Sequence, residues 1–397
     1  MSFTEAIVVI VPPDASAGAM SPGAVAPAGA ISPETVVAGL ALLRRVAVVA
    51  ERAGWKPLVA ARGRLPAEPS LIGTSAVVLT PDRPWPDLHA RRLLVLPLTV
   101  IPQVDWLRRL RQMPIEPEQL HAFDAGVMVV ETAESGPILA AAADWDGVDD
   151  AVSALRARFK VIDRSGEPGE RFALASARDL PAAETWLLRS LIKPNEGFMS
   201  RHFERYISLA ITRRLCRTRI TPNAMTAVSL LIGFASAPFF FSSAARYQLA
   251  GALLFLAHSI LDGCDGELAR LKFLESRWGA VMDVVGDNLV HAAVFSCMAV
   301  GWSMYLDSAW PLVLGGVVLV STLSIAAIVF ARGMRASTDG GPSSAVSRIA
   351  DVVVYRDFIY VIVVLAVFGK AYWFVAISAV GAPMFLLLLG WLGRRRS

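Results

Sequence analysis

Residues 261–287 read LDGCDGELARLKFLESRWGAVMDVVGD, and this stretch holds the residue types for chemistry. Its four aspartates are Asp262, Asp265, Asp283 and Asp287. On a helix, Asp262 and Asp265 stand i,i+3 and Gly266 follows Asp262 at i+4, so the three share a face. Gly279, Asp283 and Asp287 step by four and form a second face. Two antiparallel helices with a short connection can bring these faces together. Four converging carboxylates repel one another unless cations sit between them. Hard oxygen ligands of this kind suit Mg²⁺ or Mn²⁺. The glycines leave room for something bulky to approach the backbone, as a nucleotide would. His258 and His291 read as packing or hydrogen-bonding histidines, and Cys264, between the aspartates, as a small filler.

The elements that must position these carboxylates are apolar. The chain has 397 residues, 55% hydrophobic and 18% charged, which excludes a disordered chain and fits an ordinary soluble enzyme poorly. Six long apolar segments lie near 225–245, 248–270, 279–302, 309–331, 352–369 and 371–392. Each approaches the ~20 residues that a membrane-spanning helix needs. Lys and Arg from residue 191 onward divide 17 to 2 between the two sides of these spans; the pair on the minority side is Arg246 and Lys370. Basic residues mark the cytoplasmic side, so both termini are expected there, in an inner membrane. Ahead of the spans, Phe198–Arg217 is amphipathic. Phe198, Phe203, Tyr206, Ile207, Ala210, Ile211 and Leu215 can share an apolar face, and the arginines lie largely off it. Such a helix can rest in the membrane interface.

The first half differs. Residues 1–190 carry 19 basic and 22 acidic residues (−3), against 19 and 12 (+7) in residues 191–397. A basic half that is also the apolar half points to a membrane domain and not to nucleic acid. No CxxC pair occurs among the three cysteines, so a disulfide framework or structural zinc site is not expected. The opening MSFTEAIVVIVPPD lacks the basic region of a signal peptide. Strands are expected at Ala6–Val11, Leu58–Ala61, Ala76–Thr80, Leu93–Leu98 and Gly126–Glu131, and helices at Glu34–Ala53 and Asp105–Gln112. Their alternation implies a largely parallel sheet. The expected organisation is an α/β domain over 1–190, a linker with the interfacial helix over 191–224, and an all-α six-helix transmembrane domain over 225–397.

The pattern D-x2-D-G-x2-A-R-x8-G-x3-D-x3-D, complete from Asp262 to Asp287, resembles the signature of the CDP-alcohol phosphotransferases. The resemblance covers about residues 190–393. Its lead-in, IKPNEGFMSRHFERYISLAITRRL followed by Thr221-Pro222-Asn223-Ala224-Met225-Thr226, is most similar to the branch that makes di-inositol-phosphate phosphate. The resemblance implies two divalent ions, Mg²⁺ or Mn²⁺, on Asp262, Asp265 and Asp283, with Asp287 a candidate to share one. It makes Asp287 the general base for the acceptor hydroxyl. Gly266, Ala269, Arg270 and Gly279 would line the CDP pocket, with Asn223 and Thr226 at its edge. The implied donor is a CDP-polyol or CDP-diacylglycerol, the acceptor an alcohol or phospho-alcohol, the setting membrane lipid, and the assembly a homodimer.

Lys272, Arg332, Arg335 and Arg356 are candidates to grip an anionic acceptor, because Arg forks match phosphate oxygens. Plain cytoplasmic topology explains such cations equally well. Arg356-Asp357 resembles an Arg-Asp pair of the inositol-phosphate branch, which favours Arg356. A competing reading is a divalent-cation transporter that uses the intramembrane aspartates; it predicts carboxylates near mid-span and inverted repeats. The same branch carries a cytidylyltransferase domain, with a glycine-rich loop, an Arg and a Lys to hold a triphosphate. Here Gly18, Gly23 and Gly29 are widely spaced, no basic residue precedes Arg44, and Leu93–Thr99 holds no carboxylate. The expectation is therefore a nucleotidyltransferase-like fold that is degenerate in activity.

Overall fold

The computed structural model describes residues 5–13, 31–60, 71–79, 90–192, 199–339 and 358–394. The chain divides into two compact units, Met1–Leu187 and Leu188–Ser397.

Among the described residues the first unit has eleven strands: β1 (Glu5–Val11), β2 (Val36–Val37), β3 (Leu40–Ala41), β4 (Lys56–Ala60), β5 (Val77–Leu79), β6 (Ala90–Pro97), β7 (Val100–Pro102), β8 (Gln119–Ala122), β9 (Met128–Glu131), β10 (Lys160–Asp163) and β11 (Arg171–Ala173). Its helices are α1 (Leu42–Arg52), α2 (Val104–Gln112), α3 (Ser135–Ala142), α4 (Val148–Arg158) and α5 (Leu180–Arg189). Seven strands form one sheet in the order β10-β8-β9-β6-β1-β4-β5. Within it only β9 runs antiparallel to its neighbours, β6 and β8. Ile7, Val9 and Val11 of β1 join a core with Ile138 and Leu139 of α3 and Leu155 of α4. Val8 and Ile10 are buried too. Burial of both faces is why β1 reads as an unbroken apolar run.

The periodicity over Glu34–Ala53 gives a helix only from Leu42. Residues 36–41 fold instead as the β2–β3 hairpin, turned by Ala38 (φ 48°) and Gly39 (φ 79°). Arg45 is buried and its Nη2 donates to the carbonyls of Val37 and Ala38, which pins the hairpin to α1. Between Asp124 and Gly126 a tight turn replaces the start expected for β9.

The second unit is helical: α6 (Arg205–Leu215), α7 (Pro222–Ser236), α8 (Ala245–Lys272), α9 (Arg277–Leu306), α10 (Trp310–Asp339), α11 (Phe358–Val367) and α12 (Trp373–Arg394). Among the described residues five segments are long and apolar enough to cross a membrane: Pro222–Phe241, Ala245–Lys272, Arg277–Leu306, Trp310–Ile328 and Trp373–Trp391. Of the apolar segment expected at 352–369, α11 is the part within the described residues. Helix starts follow capping chemistry. Thr221 Oγ1 accepts from Ala224 N at 3.3 Å with Pro222 at the first helical position, and Ser276 Oγ accepts from Gly279 N at 2.9 Å. Phe273 (φ 58°) closes α8 in the left-handed conformation, so the chain turns back within four residues.

α7 packs on both α8 and α9, α10 lies against α9 and α12, and α6 and α11 lie against α8. Phe255, Val290, Val294, Phe295, Ile359 and Phe374 centre the core. His291 belongs to it, edge-on to Phe255 at 5.4 Å and to Phe358 at 5.6 Å. Glycines allow the close crossings. A Cβ on Gly301 would stand 2.2 Å from the Phe240 carbonyl oxygen and 2.9 Å from Phe241 Cα, and neither can swing away. Gly301→Ala is therefore expected to cost about 1–3 kcal/mol by overpacking. Thermal unfolding in detergent reads this as a lowered midpoint; an unchanged midpoint would show that the crossing has slack.

Candidate active site

Asp262 and Asp265 occupy the last turns of α8, and Asp283 the second turn of α9. One oxygen from each of these three carboxylates lies within 4.8 Å of the other two. Asp262 is 4% exposed and Asp265 5%, so water does little to screen them. Asp283 Oδ1 is buried without a hydrogen-bond partner. Buried anions at this spacing repel, and an oxygen turned inward without a donor is a ready ligand. The donor set is all carboxylate, which fits a hard dication.

Neighbouring elements hold the set in place. Thr226 on α7 is 2% exposed and its Oγ1 hydrogen-bonds Asp265 Oδ2. Asn223, one turn earlier, faces α9: its Oδ1 would lie 3.2 Å from a Cβ on Gly279. The Arg270 guanidinium lies over Gly266, and Ala269 follows Asp265 at i+4 on the same side of α8. Asp287 stands one turn beyond Asp283 and outside the group of three. Its Oδ1 is 3.5 Å from His258 Nε2, and His258 Nδ1 bonds the Ser229 carbonyl oxygen at 2.9 Å. The structure thus gives His258 the hydrogen-bonding role expected and adds Asp287 as its neighbour. Cys264 is fully buried against α6, its Sγ 3.6 Å from the Ser208 carbonyl oxygen.

The basic candidates fare differently. Lys272 Nζ donates to the Thr218 carbonyl oxygen at 2.8 Å and so ties the end of α8 to the segment after α6. Arg332 and Arg335 fall on α10, with side chains outside the described set, and Arg356 lies outside the described residues altogether. Sequence reasoning passed over Glu267. It is 0% exposed and accepts from Arg205 Nη1 at 2.6 Å, Ser208 Oγ at 2.6 Å and Thr212 Oγ1 at 2.7 Å. A signal was present: the three donors step i, i+3 and i+7 along one stripe of α6.

Residues 219–384 match the family model described as CDP-alcohol phosphatidyltransferase. The match lies within the helical unit and includes the three clustered aspartates. A bifunctional IPC transferase and DIPP synthase of Thermococcus kodakarensis is 36% identical over 30% of this chain and 27% of its own length. The protein of the same name from Rubrobacter xylanophilus is 36% identical over 45% of this chain and 40% of its own. The chain therefore spans between about a quarter and two-fifths of the length of these relatives. The crystal structure of Mycobacterium tuberculosis phosphatidylinositol phosphate synthase with CDP-DAG bound is 23% identical, covering 47% of this chain and 94% of that one, with a TM-score of 0.34.

Within the matched region, Gly266 is a position where packing leaves room. A Cβ there would meet only the Arg270 guanidinium, nearest at Nη1, 3.3 Å away, and that group can swing aside. Gly266→Ala should leave the fold as stable, or about 1 kcal/mol more stable. If the space over Gly266 receives a nucleotide, CMP affinity should fall about tenfold, or ~1.4 kcal/mol. Titration with CMP checks this; unchanged affinity would remove Gly266 from the pocket.

Proposed function

We propose that the chain is an integral-membrane transferase that moves a substituted phosphoryl group from a CDP-linked donor to an acceptor alcohol and releases CMP. The observation that carries this reading is the Asp262–Asp265–Asp283 cluster inside the matched family domain. All three sit toward the ends of α8 and α9 that share the short connection, away from mid-span, which disfavours the cation-transporter reading. The reading takes a CDP-polyol or CDP-diacylglycerol as donor and a product in phospholipid or phosphopolyol synthesis; relatives named IPC transferase and DIPP synthase, and one named CDP-diacylglycerol–serine O-phosphatidyltransferase, are in keeping with it.

In this reading Asp262, Asp265 and Asp283 hold two divalent ions, Mg²⁺ or Mn²⁺. Such ions, when bound, neutralise a diphosphate and polarise its phosphorus. Thr226 fixes the rotamer of Asp265, and Arg270 and Gly266 border the space for the nucleotide. Asp287 takes the proton of the acceptor hydroxyl as its oxygen bonds to phosphorus. The bond from phosphorus to the CMP oxygen breaks, and CMP leaves with the bonding electrons. Lys272, Arg332, Arg335 and Arg356 are the cations available to an anionic acceptor. α11 serves as part of a sixth span, α6 lies in the interface, both termini are cytoplasmic, and the family resemblance adds a homodimer. The exposed Phe203, Tyr206 and Ile207 of this lead-in support the interfacial placement.

The aspartates should fail in different ways. Asp283→Asn weakens metal binding, because an amide is a poorer ligand for a hard dication, and added Mg²⁺ or Mn²⁺ recovers part of the rate. Asp287→Asn removes the proton acceptor and costs about 10²–10⁴ in rate at any metal concentration. CMP release from a panel of CDP-alcohols, measured against metal concentration, separates them. Metal rescue of Asp287→Asn to near the parent rate would show that its role is wrong. Topology is tested by cysteine labelling. The native thiols are buried or half-buried, which keeps background low. External reagent should reach cysteines placed at Ser243 and Asp307 but not at Ser337; labelling of Ser337 from outside would overturn the orientation.

A further inference from the structure

Glu267 is two residues past Asp265 but belongs to the opposite side of α8. At ~100° per residue it stands roughly 140° from Asp262 and roughly 160° from Asp265. On that far side α6 lies close. Besides its three hydrogen bonds to Glu267, α6 meets Cys264 through the Ser208 carbonyl, and a Cβ on Gly263 would be 3.5 Å from Arg205 Nη1. Three donors of one helix thus converge on a single, fully buried carboxylate of another. The residue before α6, Glu204, is buried as well and accepts from Tyr360 Oη of α11 at 3.1 Å. α6 is therefore a bracket with polar fastenings to both α8 and α11.

We infer that Glu267 is a positioning residue: by locking α8 to α6 it sets the rotation of α8 that turns Asp262 and Asp265 toward Asp283. The inference rests on the metal-dependent reading above, and it concerns a residue outside the aspartate face. The physical basis is the setting. Between membrane helices apolar packing has little preference for one rotation over another, because lipid is as apolar as leucine. Charge-assisted hydrogen bonds are directional and strong. A helix rotation of a few tens of degrees would break all three bonds to Glu267 at once. The same rotation would carry two of the three clustered carboxylates away from Asp283. From the front, α7 meets α8 through Thr226 Oγ1 at Asp265 and the Ser229 carbonyl at His258 Nδ1; from behind, Glu267 adds three bonds that fix the same angle.

The test uses the full-length chain in detergent and reads Mn²⁺ binding from the loss of the free-ion electron paramagnetic resonance signal. Glu267→Gln keeps the shape but removes the charge: its single amide oxygen can still accept from Ser208, its Nε2 only donates and so loses the bond that Thr212 gives, and the ion pair with Arg205 is gone. The variant should bind Mn²⁺ about tenfold more weakly, in the lower part of the range seen when groups supporting metal ligands are removed. Arg205→Gln combined with Glu267→Gln removes the half-buried cation that has lost its carboxylate and should recover much of the affinity. If Glu267→Gln does not fold, Ser208→Ala with Thr212→Val keeps the Arg205–Glu267 pair and should still raise the Mn²⁺ dissociation constant severalfold. A merely structural anchor would lower the unfolding midpoint and leave Mn²⁺ affinity per folded molecule unchanged. That result in either variant overturns the inference. A parent chain that binds no Mn²⁺ overturns the metal reading and this inference with it, whereas parent binding with unchanged variants overturns this inference alone.

Discussion

Three carboxylates held within 4.8 Å of one another, two of them almost fully buried, form an arrangement that ordinary folding forces oppose. Each charge raises the free energy of the next, and little solvent reaches them. The rest of the helical unit makes sense as the apparatus that tolerates this. The cap at Ser276 starts α9 so that Gly279 and Asp283 arrive on the side of Asn223. Phe273 ends α8 in a left-handed residue, which returns the chain over the shortest route. One helix also shows two opposite treatments of a buried acid. Glu267 is answered by three donors, while Asp262 and Asp265 are turned toward a third carboxylate. That contrast separates an acid that builds structure from acids kept for a ligand.

Much of this was legible in the sequence, for identifiable reasons. Helical periodicity alone put Asp262 with Asp265 and Asp283 with Asp287, because i,i+3 and i,i+4 spacings are intrinsic to one element. Apolar length gave the spans, and five of the expected segments appear as helices long enough to cross a membrane. The contacts missed run between elements. Glu267 offers no local clue to its partners, which lie 55 to 62 residues away. The approach of His258 to Asp287 depends on how α8 and α9 cross.

In the α/β unit the errors have local causes. The apolar pattern across Val36–Ala41 suits a helix face as well as a hairpin, and Arg45, gripping two carbonyls from the next helix, decides between them. β8 and β10, QLHA and KVID, are four residues each, too short for a period-two signal to emerge. β6 was legible because Leu93–Leu98 is an apolar run in the sheet interior. Residues 14–30, whose sequence lacks the glycine spacing and basic residue of a triphosphate-binding turn, lie outside the described residues.

The Arg205, Ser208 and Thr212 donors precede residue 219, where the family match begins. A boundary drawn by sequence likeness therefore falls between a buried acid and everything that neutralises it. The unit of inheritance and the unit that folds are not the same length here. A recombinant or natural fusion joined at that boundary would import Glu267 without its donors, a defect as costly as any in a membrane helix. The α6 segment folds with the matched helices and is not a tether, so a join that keeps the donors of Glu267 has to lie upstream of it.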